Sequence, residues 1–398
     1  MRCGIVARAI ARGFGGGRDL GRSCVATEFD VLVIGGGVIG LAAARQLAAR
    51  GRRVVVVERG VCGGESSWAG AGILSPGHPN RRDTLWQLTE RSLERYPLWC
   101  AELHRESGVD PEYDVRGELS LCFDEESVRT EQATAHAADE AGRARGIAPG
   151  SWIEGEELRR LESAVSENAL GARLCHRSAT VRNPRLLRAL TESCRRRGVK
   201  IREQTSVDGL MVDQGRVRGA RVGEDSLLAD HVVLAAGAWS SQLHPSLAKL
   251  LPVHPVRGQI VLLRSERPLV RHVISCGRHY VVPRRDGHIL LGSTEEPEAG
   301  FAKRNTADGI AEVIAKALTM ARGLADLPVE ATWSGLRPGT PDERPYIGPV
   351  PGFDGLIAAT GHFRSGLTLA PVTADLVEGI VEGRSDLPEL SALRPARA

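Results

Sequence analysis

The sequence predicts an α/β protein in which two domains are interleaved along the chain. Its 398 residues exceed the length at which one hydrophobic core usually stops growing. Nucleotide-binding strand signals occur near both ends, at 30–57 and 355–361, whereas the segment 258–294 alternates apolar and polar residues as antiparallel strands do. A domain assembled from separated pieces is therefore expected to flank an antiparallel one.

The elements follow from periodicity and turn residues. Asp30–Ile34 and the four valines at 54–57 predict buried strands, and residues 38–49 between them have helical spacing. Further helices are predicted over 83–107, 125–145, 184–197 and 306–322, further strands over 200–203, 231–236 and 355–359, and hairpin turns at 213–215 and 286–287.

Composition narrows the classes of function. The net charge of +3 is too small to indicate nucleic acid or a membrane surface as partner, and no apolar run approaches the length of a membrane span. The eight cysteines form no C-x-x-C pair, so no metal site is expected. Their scattered positions predict reduced thiols and therefore a cytoplasmic location. Residues 1–28, rich in Arg and Gly, are expected to be a disordered extension.

A dinucleotide fingerprint spans residues 35–40. Gly35 allows the tight turn after the first strand, Gly37 lets a pyrophosphate approach the backbone, and Gly40 lets helix and strand pack closely. Glu58, at the end of the next strand, is placed to accept hydrogen bonds from ribose hydroxyls. This pattern predicts an adenine dinucleotide but does not choose between NAD and FAD.

Four further segments carry a family resemblance. They read GGESSWAGAGIL at 63–74, ADHVVLAAGAWS at 229–240, WSGLRPGTPD at 333–342 and GHFRSGLTLAP at 361–371. In this order and spacing, the chain resembles the glycine oxidases of the FAD-dependent D-amino-acid oxidase family over about residues 29–384. The resemblance implies a Rossmann-like FAD-binding domain interleaved with an antiparallel-sheet substrate domain. The implied FAD-binding domain comprises residues 29–82, 175–250 and 333–384. The implied substrate-binding domain comprises residues 83–174 and 251–332, and residues 385–398 form a tail.

The resemblance also implies roles for individual residues. Arg337 would hold the substrate carboxylate, Arg364 would lie beside the substrate, and Tyr280 would close the pocket, these three forming the catalytic set. Ile73 departs from the methionine common in the family. The residues that would contact FAD are Gly35, Gly37, Val38, Ile39, Gly40, Glu58, Arg59, Ser66, Ser67, Ala71, Gly72, Ile73, Val207, His362, Phe363, Arg364, Ser365, Gly366, Leu367 and Thr368.

Two positions separate this chain from the related sarcosine oxidases. Those enzymes tether FAD through a cysteine and place a lysine in the C-terminal loop, where this chain has Gly335 and Thr368. The resemblance therefore implies non-covalent FAD and oxidation of glycine, with small D-amino acids or sarcosine open, to the imine and glyoxylate, releasing ammonia and hydrogen peroxide. It further implies a place in thiamine thiazole synthesis and a functional link to a thiazole synthase.

Two other functions stay open at this point. One is a D-amino-acid dehydrogenase that passes electrons to a quinone, because the motifs do not reveal the electron acceptor. The other is a flavin-binding module without catalysis, against which the presence of both Arg337 and Arg364 argues. Substrate preference and oligomeric state, a homo-oligomer included, also stay open.

Overall fold

The computed structural model of the chain describes residues 28–76, 83–143 and 150–397. The expected disordered extension, apart from Glu28, lies outside these residues, as do the last two positions of the helix predicted over 125–145. Within the described residues the strands form two sheets of eight and a small sheet of three. Helices pack against both large sheets, which confirms the α/β class.

The strands are β1 Phe29–Ile34, β2 Val54–Val57, β3 Ile73–Leu74, β4 Asp114–Val115, β5 Glu118–Cys122, β6 Gly150–Glu154, β7 Gly171–Cys175, β8 Ala179–Thr180, β9 Lys200–Arg202, β10 Gly209–Asp213, β11 Arg216–Val222, β12 Asp225–Leu234, β13 His254–Arg264, β14 Val273–Cys276, β15 His279–Pro283, β16 His288–Gly292, β17 Val329–Gly339, β18 Tyr346–Pro349 and β19 Leu356–Thr360. The helices are α1 Val38–Ala49, α2 Ser66–Ala69, α3 Thr84–Ser107, α4 Glu125–Arg143, α5 Gly155–Leu161, α6 Asn183–Arg196, α7 Leu247–Leu250, α8 Ala307–Met320 and α9 Gly366–Val381, with 3₁₀ turns at Gly237–Gln242, Pro297–Ala299 and Ser391–Leu393.

The first sheet has a parallel core in the order β9-β2-β1-β12-β19. The hairpin β10–β11 extends it antiparallel to β12, and β18 pairs antiparallel with β19. The predicted turn at 213–215 is confirmed, with positive φ at Gln214 and Gly215. β12 begins earlier than residue 231 because its first residues pair with β11 before the rest join β1.

The second sheet follows the order β17-β13-β16-β15-β14-β5-β7-β6. All its pairs are antiparallel except β14–β5, which run parallel. The expected antiparallel sheet is therefore confirmed apart from this one pair, whose direction side-chain alternation does not reveal because it is the same in both orientations. One face packs its apolar side chains, such as Leu119, Ile274, Val281 and Leu291, in a core shared with α8.

Helix α3 packs on the first sheet's side of the molecule. Its residues Leu93, Tyr96, Trp99 and Leu103 are buried in one core with α1, α6 and α9. The range 83–174 expected for the substrate domain includes this helix. β17 also runs across the expected boundary at 333, and Leu390 of the expected tail is buried against α9.

A carboxylate joins three of these helices. Glu106, near the end of α3, accepts two hydrogen bonds from Arg45 of α1 and two from Arg197, which follows α6. Ser193 of α6 also donates to it. Burial alone would raise the pKa of Glu106, but these donors and the charge of Arg45 lower the pKa to about 2. The network fixes α3 against the nucleotide side.

Replacing Glu106 with glutamine should destabilise the folded chain near neutral pH. A carboxyl group whose pKa is depressed on folding stabilises the fold above its unfolded pKa and loses that contribution as pH falls through its folded pKa. For Glu106 this window runs from 4.5 down to about 2. Discounted for solvent screening of this part-exposed group, the shift corresponds to about 2 kcal/mol at neutral pH, and about half of it should be lost by roughly pH 3.

Urea unfolding of wild type and Glu106→Gln near pH 7 and near pH 3 measures this difference in the free energy of unfolding. The matched control is Glu192→Gln, which removes a surface pair with Arg196 on α6 and should cost less than about 1 kcal/mol. Equal effects of the two substitutions, or a Glu106→Gln effect that does not shrink with acid, would contradict this account of the network.

Candidate active site

A cavity of about 930 Å³ is lined by residues from both large sheets. The strand ends of β1, β2 and β12 border it on one side, and β14, β15 and β17 contribute residues on the other. Every predicted site residue lines this cavity except Gly40. The sequence motifs, which lie far apart along the chain, are thus brought to one place.

The fingerprint glycines are required by close backbone contacts. Gly35 has φ +108°, and a Cβ there would lie 2.4 Å from the carbonyl oxygen of Ala235. A Cβ at Gly40 would lie 1.9 Å from the carbonyl oxygen of Gly35. Gly40 is therefore a packing residue behind the cavity wall, as the fingerprint requires. Gly37 caps α1 without a side-chain hydrogen bond, so first-turn N–H groups remain for an anion.

Two side chains shape the surroundings of this helix start. Ser67, on α2, accepts a hydrogen bond from the Val38 N–H at 3.0 Å. The two carboxylate oxygens of Glu58 accept from the N–H groups of Gly36 and Gly60, each at 2.8 Å. Each carboxylate oxygen can accept a second hydrogen bond. Glu58 is thus held in a fixed position with capacity left for ribose hydroxyls.

An aromatic residue borders the far end of this region. The Arg59 guanidinium lies 3.7 Å from the ring centroid of Trp239, and both residues line the cavity together with Val207. Trp239 belongs to the segment 229–240 but is absent from the predicted site residues. The ring of Phe301 lies 5.4 Å from that of Trp239, so the segment that follows β16 contacts this end.

The C-terminal loop 361–365 leads into α9. His362 is fully buried, its Nε2 lies 3.1 Å from the Thr373 hydroxyl, and burial lowers its pKa to about 3. A neutral ring in this position holds the loop against α9. Tyr96 supports the same helix start by donating to the carbonyl of Leu367 at 2.5 Å.

Arg337 lies at the opposite end, on β17. Its guanidinium donates to the Thr294 carbonyl at 3.2 Å and to the Ser293 hydroxyl at 2.6 Å. It extends across β13 at Gly258, where a Cβ would lie 2.2 Å from its Nη1. Both acceptors are neutral, and none of the acidic side chains described in the structure forms an ion pair with Arg337. The arrangement leaves a guanidinium with unused donors facing the cavity.

Two further predicted residues flank Arg337. The Tyr280 ring lies over Gly292, where a Cβ would meet ring atoms and the hydroxyl at 2.5 Å. Arg364 is exposed and forms an ion pair with Glu295, and burial of part of its side chain lowers the pKa of its guanidinium. Tyr280 thus lies over β16 and Arg337 over the neighbouring β13, whereas Arg364 is compensated by an acid.

Comparison with known proteins supports these observations. The family model described as FAD dependent oxidoreductase matches residues 30–379. The chain is similar to glycine oxidase of Pseudomonas aeruginosa, with 39% identity over 92% of this chain and 98% of that protein. It is also similar to the crystal structure of glycine oxidase from Geobacillus kaustophilus, with a TM-score of 0.87, 30% identity and coverage of 93% and 99%.

The chain belongs to the FAD dependent oxidoreductase family. A third relative, the bifunctional protein ThiO/ThiG of Trichormus variabilis, is 34% identical over 92% of this chain but 55% of its own length. Among the helices described here, none has the length and apolar character needed to cross a membrane.

The chain's own residues fit the family's cofactor. The uncapped start of α1 suits a pyrophosphate, Glu58 suits a ribose, and Gly72 (φ +70°) packs so closely on Val181 that a Cβ would lie 2.1 Å from its carbonyl oxygen. Arg284 holds this segment by donating to the carbonyls of Ala71 and Val181. The loop 70–73 therefore presents backbone, with few side-chain atoms, toward the cavity.

Sequence reasoning missed several polar residues on the cavity wall. Glu118, Ser75, Ser275 and Ser293 all line it, but none belongs to a quoted motif. The available signal was polar residues at the cavity-facing positions of otherwise apolar strands, as in Glu118 before Leu119 and Ser275 after Ile274. That signal alone does not separate a site residue from a solvated one.

We expect FAD to be released intact on acid precipitation. None of the cysteines described in the structure lines the cavity. At the tethering position, a side chain on Gly335 would begin 2.5 Å from the Ala69 Cβ. The flavin spectrum of the supernatant after precipitation and centrifugation measures release. Yellow colour that stays with the denatured pellet would disprove non-covalent binding.

Glu58→Ala should weaken FAD retention. Losing the hydrogen bonds to two ribose hydroxyls costs on the order of 3 kcal/mol, or roughly a hundredfold in Kd. Glu58→Gln should fall between wild type and Glu58→Ala because its amide oxygen can still accept. Flavin fluorescence during titration of apoprotein gives the Kd, with Glu192→Ala as a surface control. Unchanged affinity in Glu58→Ala would place the ribose elsewhere.

Proposed function

We propose that this protein catalyses the FAD-dependent oxidation of glycine to glyoxylate and ammonia, reducing oxygen to hydrogen peroxide. The observation that carries the proposal is Arg337, a guanidinium held by two neutral acceptors at the end of the cavity opposite the dinucleotide fingerprint. An arginine so placed needs an anion, and its planar fork matches a carboxylate.

The reaction is balanced by one oxygen and one water molecule. The α-carbon of glycine loses a hydride and its amine a proton to give the imine, which water hydrolyses to glyoxylate and ammonia. FAD, when bound, supplies the acceptor for that hydride. No nucleophile is needed, so the chain's contribution is to orient the substrate.

Each cavity residue then has a role in orientation. Arg337 binds both carboxylate oxygens, and the Tyr280 hydroxyl, which lies over the neighbouring strand, donates to one of them. Ser293 and the Thr294 carbonyl fix the guanidinium plane. Gly258 keeps the space that the guanidinium occupies. We propose the remaining cavity-lining members of the predicted set as FAD contacts, and Gly40 as their packing support.

The relatives support the substrate and the pathway. Curated relatives that match most of this chain carry the name glycine oxidase, and the ThiO/ThiG relatives are bifunctional proteins. We propose that the imine is passed to a thiazole synthase in thiamine thiazole formation. The quinone-linked dehydrogenase and the non-catalytic module are not favoured by these relatives.

Arg337→Ala should abolish most of the activity with glycine. Without the guanidinium the substrate carboxylate would be desolvated and unpaired, which typically costs about 3 to 5 kcal/mol, or roughly several-hundred-fold or more in kcat/KM. Arg337→Lys should also be impaired because an ammonium keeps the charge but loses the bidentate fork. The flavin spectrum of both variants should stay close to that of wild type.

The measurement is the rate of anaerobic flavin reduction by glycine, followed by admission of air to test oxygen as acceptor. Arg278→Ala is the matched control, since Arg278 lines the same cavity but pairs with Glu312. Equal rates and half-saturation in wild type and Arg337→Ala would refute the carboxylate site. Reduced flavin that stays reduced in air would favour the dehydrogenase.

A further inference from the structure

A carboxylate and three serine hydroxyls form a second polar group on the cavity wall. Glu118, at the start of β5, accepts from Ser75 Oγ at 2.6 Å and from Ser178 Oγ at 3.0 Å on one oxygen, and from Ser275 Oγ at 2.9 Å on the other. Glu118, Ser75 and Ser275 line the cavity. The proposed oxidation of glycine uses none of these side chains.

The charge of Glu118 is solvated by hydroxyls but not neutralised. In the described part of the chain, its carboxylate forms no ion pair: Arg116 pairs with Asp114, and Arg278, the arginine of the neighbouring turn, pairs with Glu312. A carboxylate offers about four acceptor sites, of which the serines use three. A partly buried anion with fixed hydroxyl donors and a free acceptor site favours a cationic hydrogen-bond donor.

The sheet register places this group away from the carboxylate site. Ser275 lies directly opposite Tyr280, and Tyr280 directly opposite Gly292, so these residues share the cavity face. Glu118 is on β5, two strands away from β15, the strand of Tyr280. Two strand spacings correspond to about 10 Å across the sheet. The Tyr280 ring lies over Gly292, on the strand farther from Glu118. Glycine is too short to contact both Arg337 and Glu118.

We propose that Glu118, oriented by Ser75, Ser178 and Ser275, is a cation subsite that binds a protonated amine at the end of the substrate distant from its carboxylate. The proposal rests on Arg337 as the carboxylate site of the proposed function. The class of ligand is an amino acid, or an N-substituted glycine, that carries a second amine. The substrate range then extends beyond glycine to longer dicationic amino acids.

Binding of ω-amino carboxylates tests the subsite without requiring oxidation. γ-Aminobutyrate, δ-aminovalerate and ε-aminocaproate are compared with butyrate, valerate and caproate, and affinity is read from the perturbation of flavin absorbance in the FAD-loaded protein. At the best chain length, the amino compound should bind at least roughly tenfold more tightly than its uncharged partner, about the contribution of one charged hydrogen bond. In Glu118→Gln, which keeps the size and polarity of the side chain, this ratio should fall to about one.

Two further variants make the outcome decisive. Ser275→Ala, which removes one orienting donor, should lower the ratio less than Glu118→Gln does. Glu330→Gln should leave the ratio of affinities unchanged, because the Glu330 carboxylate pairs with His288 on the outer part of the same sheet. A ratio near one in wild type at every length, or a ratio that survives Glu118→Gln, would overturn the subsite. Failure to oxidise glycine would overturn the proposed function alone, because the ratio is measured by binding.

Discussion

The close contact between the end of β1 and the start of α1 determines where everything else in the cavity lies. Gly35 and Gly40 allow the first turn of α1 to approach the strand so closely that any Cβ would collide with backbone. Because α1 begins there, Val38 can bond Ser67 and Glu58 can hold Gly36. The position of α1 is thus set by backbone contacts at Gly35 and Gly40, and the side chains of Ser67 and Glu58 are then placed relative to it.

A second series of close contacts connects the nucleotide end of the cavity to the substrate end. Helix α2 packs on β17, where Ala69 lies against Gly335 and accepts a hydrogen bond from the Trp333 indole at 3.0 Å. Arg337 follows two residues after Gly335, so its distance from α2 is set by the strand. Because Gly258 has no side chain, the Arg337 guanidinium can lie over β13. The two ends of the cavity are therefore coupled through one strand.

Sequence reasoning recovered those parts of the molecule that local chemistry specifies. The β1–α1–β2 unit follows from periodicity and from glycines that only a close approach explains. Arg337, Tyr280 and Arg364 came from resemblance, since a single arginine before Pro-Gly has no local signature. The packing of α3 and the parallel pair β14–β5 depend on contacts between distant segments, such as Glu106 with Arg197. Glu118 was missed because its three serine partners come from three different parts of the chain.

Arg337 and Arg364 resemble each other in sequence context, but their electrostatic environments differ. Among the described residues, the charge of Arg337 meets only a carbonyl and a hydroxyl, so a substrate carboxylate would be its first counter-charge. Arg364 is exposed and already paired with Glu295, and exposed pairs of this kind contribute only about 0–1 kcal/mol. If a substrate carboxylate replaced Glu295 as the partner of Arg364, the free energy of binding would therefore change little. This difference favours Arg337 as the residue that fixes the substrate, and it leaves Arg364 the weaker role of attracting anions toward the cavity.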